Sequence, residues 1–435
     1  MESDDALFRK ISIRILPLMM LSFFVCYLDR INIGFAKLQM SDDLGFSGAV
    51  YGFGAGLLFV GYFLFEVPSN IILHHVGARR WIARIMVTWG IISGLTAFVQ
   101  TPMQFYIARF ALGAAEAGFI PGVIYYLSQW YPTERRGRAW GIFYIALASS
   151  GLIGGPVSGA ILQLFSGTGG LAGWQWLILI EAVPSLILGG VVLYAVKDTI
   201  DSASWLDEAE KQRLRHLIAT DPGARRSGDR NHIALRELMT GTIITLTAIY
   251  FLYNSALYGI GFWMPTMIQA MGVTGAWNIG LLTALPSACA IVTLVTLARS
   301  SDHRRERRGH LAFACILGAV GFCIAVRFAD DPVLGMIGLC LANAGTYSIP
   351  AIFWTVPTAL VSGVTAATAI AMINSIGNLS GFVAPWVIGI VKDATGSTGL
   401  GALSLAAGLV VAAVLLMSLP RIAEPVKTDP TVPAE

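Results

Sequence analysis

Charge is the first thing this sequence is short of. Only 13% of its 435 residues are Asp, Glu, Lys or Arg, whereas a soluble chain carries roughly 25% to keep its surface solvated. That deficit excludes an ordinary water-soluble globule. Cysteine is also scarce. Cys26, Cys289, Cys315, Cys323 and Cys340 all lie in apolar segments and show no paired spacing. A disulfide framework and a cysteine metal site are therefore excluded, and the five read as small apolar packing residues. The apolar segments hold no nucleophile–base pair and no cluster of metal ligands, so an enzyme is not expected. Neither a metal nor a cofactor is expected, and no nucleic-acid partner.

What the sequence has is apolar length. Apolar residues make up 55% of it, and the mean hydropathy is +0.69. Crossing about 30 Å of hydrocarbon at 1.5 Å per residue takes about 20 residues. Runs that meet this lie near 15–36, 49–73, 81–100, 103–127, 139–164 and 175–196, then near 238–270, 276–298, 309–328, 332–356, 365–391 and 398–419. The first run is too long for a cleaved leader and contains Asp29-Arg30, so it reads as a span. The fold class is an all-α membrane protein of twelve spans in two pseudo-symmetric six-helix bundles. The domains expected are 1–196, a polar linker 197–237 and 238–435. Within the linker, Trp205 to Ile218 has apolar residues at helical spacing and predicts a surface helix.

The two halves echo each other. Gly77 and Arg79-Arg80 follow span two, and Ser301-Asp302 with Arg304-Arg305 follow span eight. Span five carries Gly151, Gly154, Gly155, Pro156 and Gly159; span eleven carries Gly377, Gly381, Pro385 and Gly389. A parallel repeat leaves such marks, with its binding site between the halves. Of the lysines and arginines, only Lys37, Arg327 and Lys392 fall in loops on one side, and Arg30 and Arg109 fall inside spans. All others sit on the opposite side, which places both termini in the cytoplasm of a bacterial inner membrane.

A charge at mid-bilayer costs about 2.5–3.5 kcal/mol on insertion scales and marks a functional candidate. These charges are Asp29, Arg30, Glu66, Arg109, Glu116 and Glu181, all in the first half. The second half offers Asn254, Tyr258, Asn343, Tyr347, Thr355, Asn374 and Asn378. Arg109 and Glu116 are two turns apart on one helix face, with Gly113 between them. Two buried guanidiniums suit an organic anion. The alternative is an ion pair of Arg109 with Asp29 or Glu116 that locks spans one and four. Glu66, near the arginine-rich loops, reads as a gate contact, Glu181 as a packing residue, and the six histidines as solvated.

At these residues the chain resembles the major facilitator superfamily, and within it the anion:cation symporter family. The resemblance rests on Tyr27-Leu-Asp29-Arg30-Ile-Asn32-Ile-Gly34, Glu66-Val-Pro68-Ser-Asn70, the run from Arg109 to Gly122, and Gly173-Trp-Gln-Trp176. It departs from the superfamily where Asn70 and His74 replace an acidic residue after span two, which weakens a charge-relay gate there. The resemblance implies proton-coupled uptake of a small organic anion, in the manner of tartrate, phthalate, hydroxyphenylacetate and sugar-acid permeases. It puts Arg30 and Arg109 near substrate, Asp29 and Glu116 as protonatable groups, Tyr27 and Tyr62 as pocket lining, and Asn374 and Asn378 on the opposite wall. Partners are then the anion and the bilayer, with the chain a monomer. The alternatives are a neutral-solute or export carrier of this fold, or an anion sensor that moves nothing.

The charge asymmetry yields a topology test. A single cysteine at position 225 should react with impermeant reagents only from the cytoplasmic side. Labelling from the periplasm of intact cells would invert the topology.

Overall fold

A computed structural model describes residues 2–221, 240–360 and 364–420. The end of the 197–237 segment with Arg225, and Arg421 and Lys427 in the C-terminal arm, lie outside the described residues. In chain order the helices are α1 (Glu2–Leu44), α2 (Gly48–Val76), α3 (Ala78–Thr96), α4 (Pro102–Glu116), α5 (Phe119–Ser128), α6 (Thr133–Leu164) and α7 (Gly173–Ala195). A surface helix, α8 (Glu208–Ala219), follows. Then come α9 (Gly241–Ala270), α10 (Ala276–Arg304), α11 (Arg308–Arg327), α12 (Pro332–Phe353), α13 (Thr355–Leu360), α14 (Val364–Asn378), α15 (Ser380–Thr395) and α16 (Gly399–Ser418).

Among the described residues, ten segments are long and apolar enough to cross a membrane. Two more helices complete the twelve spans. The arginines Arg79, Arg80 and Arg84 open α3, and a charged first turn followed by glycine and serine dilutes α6. Both are packed as spans nonetheless, α3 against α4 and α7, α6 against α1 and α10. Helices α1 to α7 form one bundle, and α9 to α16 the other. Large apolar side chains such as Leu64, Val67, Ile107, Ile187 and Val414 stay exposed on the outer faces, where lipid is the solvent.

The first helix begins well before the expected residue 15. Leu7, Phe8 and Ile11 are buried while Arg9 and Lys10 are exposed, an amphipathic lead-in. It meets α8, where Asp207 caps the N-terminus and Glu210 returns the contact in a capping box. Lys10 pairs with Glu210 at 2.6 Å and Arg213 with Asp4 at 2.8 Å. Exposed pairs of this kind contribute at most about 1 kcal/mol each. Buried Leu214, and Trp205 stacked 5.5 Å from Trp130, anchor α8 more firmly.

The bundles meet through glycine. A Cβ on Gly52 would lie 2.2 Å from the Pro385 carbonyl oxygen, and one on Gly389 would lie 2.1 Å from that of Gly48. On the other side, a Cβ on Gly155 would fall 1.9 Å from Thr283 Oγ1, and one on Gly159 2.4 Å from the Ala276 oxygen. The glycine run of span five is thus explained by close packing between halves. These seams lie toward the ends of the bundles opposite the arginine-rich loops.

Each seam is closed by a side chain that caps a helix of the other bundle. The amides of Gly48 and Ala49 donate to the two Asp393 carboxylate oxygens at 2.6 and 2.8 Å, so α15 caps α2. The Trp277 amide donates to Gln163 Oε1 at 3.2 Å, so α6 caps α10. Losing a side-chain cap costs about 0.5–2 kcal/mol. Asp393→Asn should therefore populate a state with these ends apart. Electron-spin distances between labels at positions 42 and 397 should gain a longer component, and an unchanged distribution would show that the cap does not hold the seam.

Candidate functional site

Adjacent residues on a helix point about 100° apart, and α1 uses this to send Asp29 and Arg30 to different neighbours. Asp29 faces α3, where the Ser93 hydroxyl donates to its Oδ1, and the side-chain amide of Asn32 on its own helix donates to the same oxygen at 3.3 Å. Arg30 faces α2 and α4. Its guanidinium lies 5.7 Å from the centre of the Phe59 ring and 5.5 Å from that of Tyr62. Arg30 Nη2 donates to Glu116 Oε2 at 2.5 Å, with Glu116 fully buried.

Helix four stops at this pair. Gly118 adopts φ +88°, and a Cβ there would stand 2.3 Å from Ser69 Oγ. Ser69 donates to the freed Ala117 carbonyl at 2.6 Å, and Trp81 donates to Ser69 at 3.0 Å. A broken span is tolerated where such partners satisfy its loose backbone. Gly113 lets α4 approach α2 closely, since a Cβ would fall 1.8 Å from the Leu58 oxygen.

The lock between spans one and four is made by Arg30, not by Arg109. Two turns of α4 hold Arg109 about 10 Å from Glu116 along the axis, while α1 brings Arg30 alongside. Arg109 is 1% exposed, and its Nε and Nη2 have no hydrogen-bond partner among the described residues. Those two atoms form one edge of the guanidinium, the edge that grips a carboxylate with two parallel bonds. The Arg30–Glu116 contact is single-pronged, and among the described residues Arg30 Nε, Glu116 Oε1 and Asp29 Oδ2 have no hydrogen-bond partner. Buried polar atoms left this way are costly unless something else completes them.

The second bundle supplies the neutral wall. Tyr250 donates to Asn374 Oδ1 at 3.1 Å, and Asn378 donates to the same oxygen at 3.2 Å. Asn254 and Tyr258 each lie 3.5 Å from Asn378 Oδ1. Tyr258 also contacts Arg30 and packs 4.4 Å from Phe59, so one hydroxyl joins the charged cluster to the asparagine pair. Tyr27 reaches across to Tyr347. Of the residues proposed from the sequence, the structure thus brings Arg30, Tyr62 and Glu116 together in the first bundle and Asn374 and Asn378 together in the second.

Other readings fare differently. No arginine reaches Glu66 among the described residues. Glu181 is buried and accepts from Ser158 at 2.8 Å, in keeping with packing. Phe59 was not singled out, although its spacing of three from Tyr62 placed both on one face. Lys37, expected in a loop, is buried inside α1.

Two helical bundles that span a membrane around buried charges at their junction define a solute transporter rather than an enzyme. The chain belongs to the Major Facilitator Superfamily, whose model matches residues 19–385. The resemblance drawn from its motifs is borne out. A protein of Agrobacterium vitis named as a tartrate transporter is 47% identical over 413 residues, covering 95% of this chain and 91% of its own. A quinolone resistance transporter of Acinetobacter baumannii is 38% identical over 92% of both chains. The xylose transporter XylE from E. coli superposes with a TM-score of 0.76 at 14% identity, over 94% of this chain and 97% of that one, a likeness of fold.

The ion pair has a stability signature. Removing one partner of a buried pair costs about 3–5 kcal/mol, while replacing both by apolar groups is close to neutral. Glu116→Ala should lower the melting temperature of the purified protein strongly, and Arg30→Met with Glu116→Met should restore it. A double variant as unstable as the single one would contradict this account of the pair.

Proposed function

We propose that this transporter carries a small organic carboxylate into the cell together with protons, by alternating access. The observation that carries the reading is the edge of Arg109 that is unpartnered among the described residues, buried two turns along α4 from the single-pronged Arg30–Glu116 pair. In an apolar slab a bare guanidinium edge calls for an anion, and a carboxylate matches its geometry. Kinship to a protein named as a tartrate transporter supports a small hydroxy-acid substrate.

The coupling follows from charge balance. Asp29, Arg30, Arg109 and Glu116 together are neutral when all are ionised, and a low-dielectric site resists any net charge. A monoanion is accommodated if one carboxylate takes a proton, and a dianion such as tartrate if both do. Glu116 is the first candidate. Protonated, it releases Arg30, which can then share the substrate carboxylate with Arg109. Asp29, held by neutral donors rather than by a cation, is the second. The bundles 1–196 and 238–435 rock about this site, with Tyr27, Tyr62, Asn374 and Asn378 lining it. One chain encloses one site, so a monomer suffices. The lysine and arginine distribution supports an inner-membrane orientation with both termini in the cytoplasm.

Kinship to a quinolone resistance transporter supports a second reading, an export carrier of the same fold. Its discriminating measurement is direction. L-Tartrate uptake into proteoliposomes driven by an imposed proton gradient supports import with protons, and drug extrusion without tartrate uptake supports export.

Glu116→Gln tests the coupling within the first reading. Gln copies the shape of the protonated acid and cannot ionise. Exchange of internal for external tartrate should continue, while uphill accumulation under a proton gradient should stop. Accumulation at the wild-type level would remove Glu116 from the coupling.

A further inference from the structure

The face of α1 that carries Arg30 carries a second cation two turns on. Lys37 is seven residues farther along, so it sits on the same side about 10 Å nearer the sealed ends. It is 5% exposed. Its surroundings repeat those of Arg30 one level higher. At the lower level Arg30 rests against Phe59 and Tyr62 of α2 and contacts Tyr258 of α9. At the upper level the Lys37 ammonium lies 5.2 Å from the centre of Tyr51 of α2 and 4.6 Å from that of Trp263 of α9. Thr266 of α9 offers its hydroxyl at 3.4 Å.

The two levels differ in one respect. Arg30 has a carboxylate partner in Glu116, and Lys37 has none within ion-pairing distance among the described residues. The charged groups that act on it are Lys392 and Asp393 of α15 and Asp42 of α1. Both Asp393 oxygens are committed to the Gly48 and Ala49 amides. Lys392 adds a second cation 5.8 Å from the same Trp263 ring, from the opposite bundle. Two ammonium groups and an aromatic box thus converge with little opposing charge. Between the levels the path is shut by close packing, since a Cβ on Gly34 would fall 2.9 Å from the Phe262 carbonyl oxygen. Separating α1 from α9 at this end would open Lys37 first and connect it to Arg30.

We propose that Lys37, with Lys392 beside it, is a second anion-binding point that takes the substrate carboxylate on the side of the sealed ends and passes it to Arg30. The proposal rests on the carboxylate-import reading above. An ammonium without a counter-ion is costly in the packed, sealed state, and a substrate carboxylate supplies the counter-charge when that side opens. The same cation is therefore a burden on the fold and a gain for capture. Replacement by Met, which matches the length and apolar surface of the stem, removes both.

The test uses the full chain in right-side-out and inverted membrane vesicles, with radiolabelled L-tartrate as the probe. Lys37→Met should raise the half-saturating tartrate concentration in right-side-out vesicles by about tenfold or more, the scale of one charge-assisted hydrogen bond. In inverted vesicles, where substrate reaches Arg30 from the other side, it should change by less than about twofold, an energy difference too small for a lost ionic contact. The melting temperature of Lys37→Met should not fall, and Lys37→Arg should restore the half-saturation value. An unchanged value in right-side-out vesicles, an equal loss on both sides, or a lowered melting temperature each overturns the proposal and returns Lys37 to a structural role. Wild-type vesicles that take up no tartrate in either orientation would overturn the import reading before any variant is compared, and this proposal with it.

Discussion

In hydrocarbon a guanidinium has only the partners that the protein itself brings to it. Arg30 and Arg109 lie under that constraint, and much of the surrounding architecture answers to it. Helix α4 ends at Glu116, and Gly118, Ser69 and Trp81 repair the break. Glycines at 61 and 113 bring α2 and α4 close enough for Phe59 and Tyr62 to lie beside the Arg30 guanidinium. The pair with Glu116 satisfies part of one arginine and none of the other. A fully satisfied network would be more stable and would have no reason to bind anything. The incompleteness is what a substrate can use.

The asymmetry between the bundles follows from the same constraint. Every buried charge of the cluster is in the first bundle, and the second contributes Tyr250, Asn254, Tyr258, Asn374 and Asn378, which bond mainly to one another. Neutral groups that satisfy each other keep their arrangement whether or not an ion is present. Tyr258 is the exception that touches both sides. Movement of one bundle against the other would make or break contacts to the arginines while these tyrosines and asparagines keep the bonds they make to one another.

Much of this was legible in the sequence, because a bilayer translates directly into run length and polarity. Twelve runs gave twelve spans, and the scarcity of charge inside them pointed to Asp29, Arg30, Arg109 and Glu116. Spacing along one helix could not show which arginine meets Glu116, since that depends on how α1 crosses α4. Lys37 was assigned to a loop because its charge ended an apolar run, whereas the helix continues to Leu44 with the lysine turned onto Trp263. The aromatic levels on α2 and α9 were hidden for a related reason. Their register exists only between helices, and one-dimensional periodicity carries no trace of it. For Glu66, proximity to basic loops in sequence gave no contact in space among the described residues.

The two caps at the sealed ends are unequal, and the inequality has a mechanical meaning. Asp393 holds α2 with a carboxylate on two amides, while Gln163 holds α10 with one neutral oxygen at a longer distance. Charge-assisted bonds are roughly twice as strong as neutral ones. On the caps alone, the α6–α10 seam is the weaker of the two. An opening that began there would be a swing like that of a door, with its pivot line along α2 and α15 and its free edge at Trp277, rather than a parallel separation of two blocks.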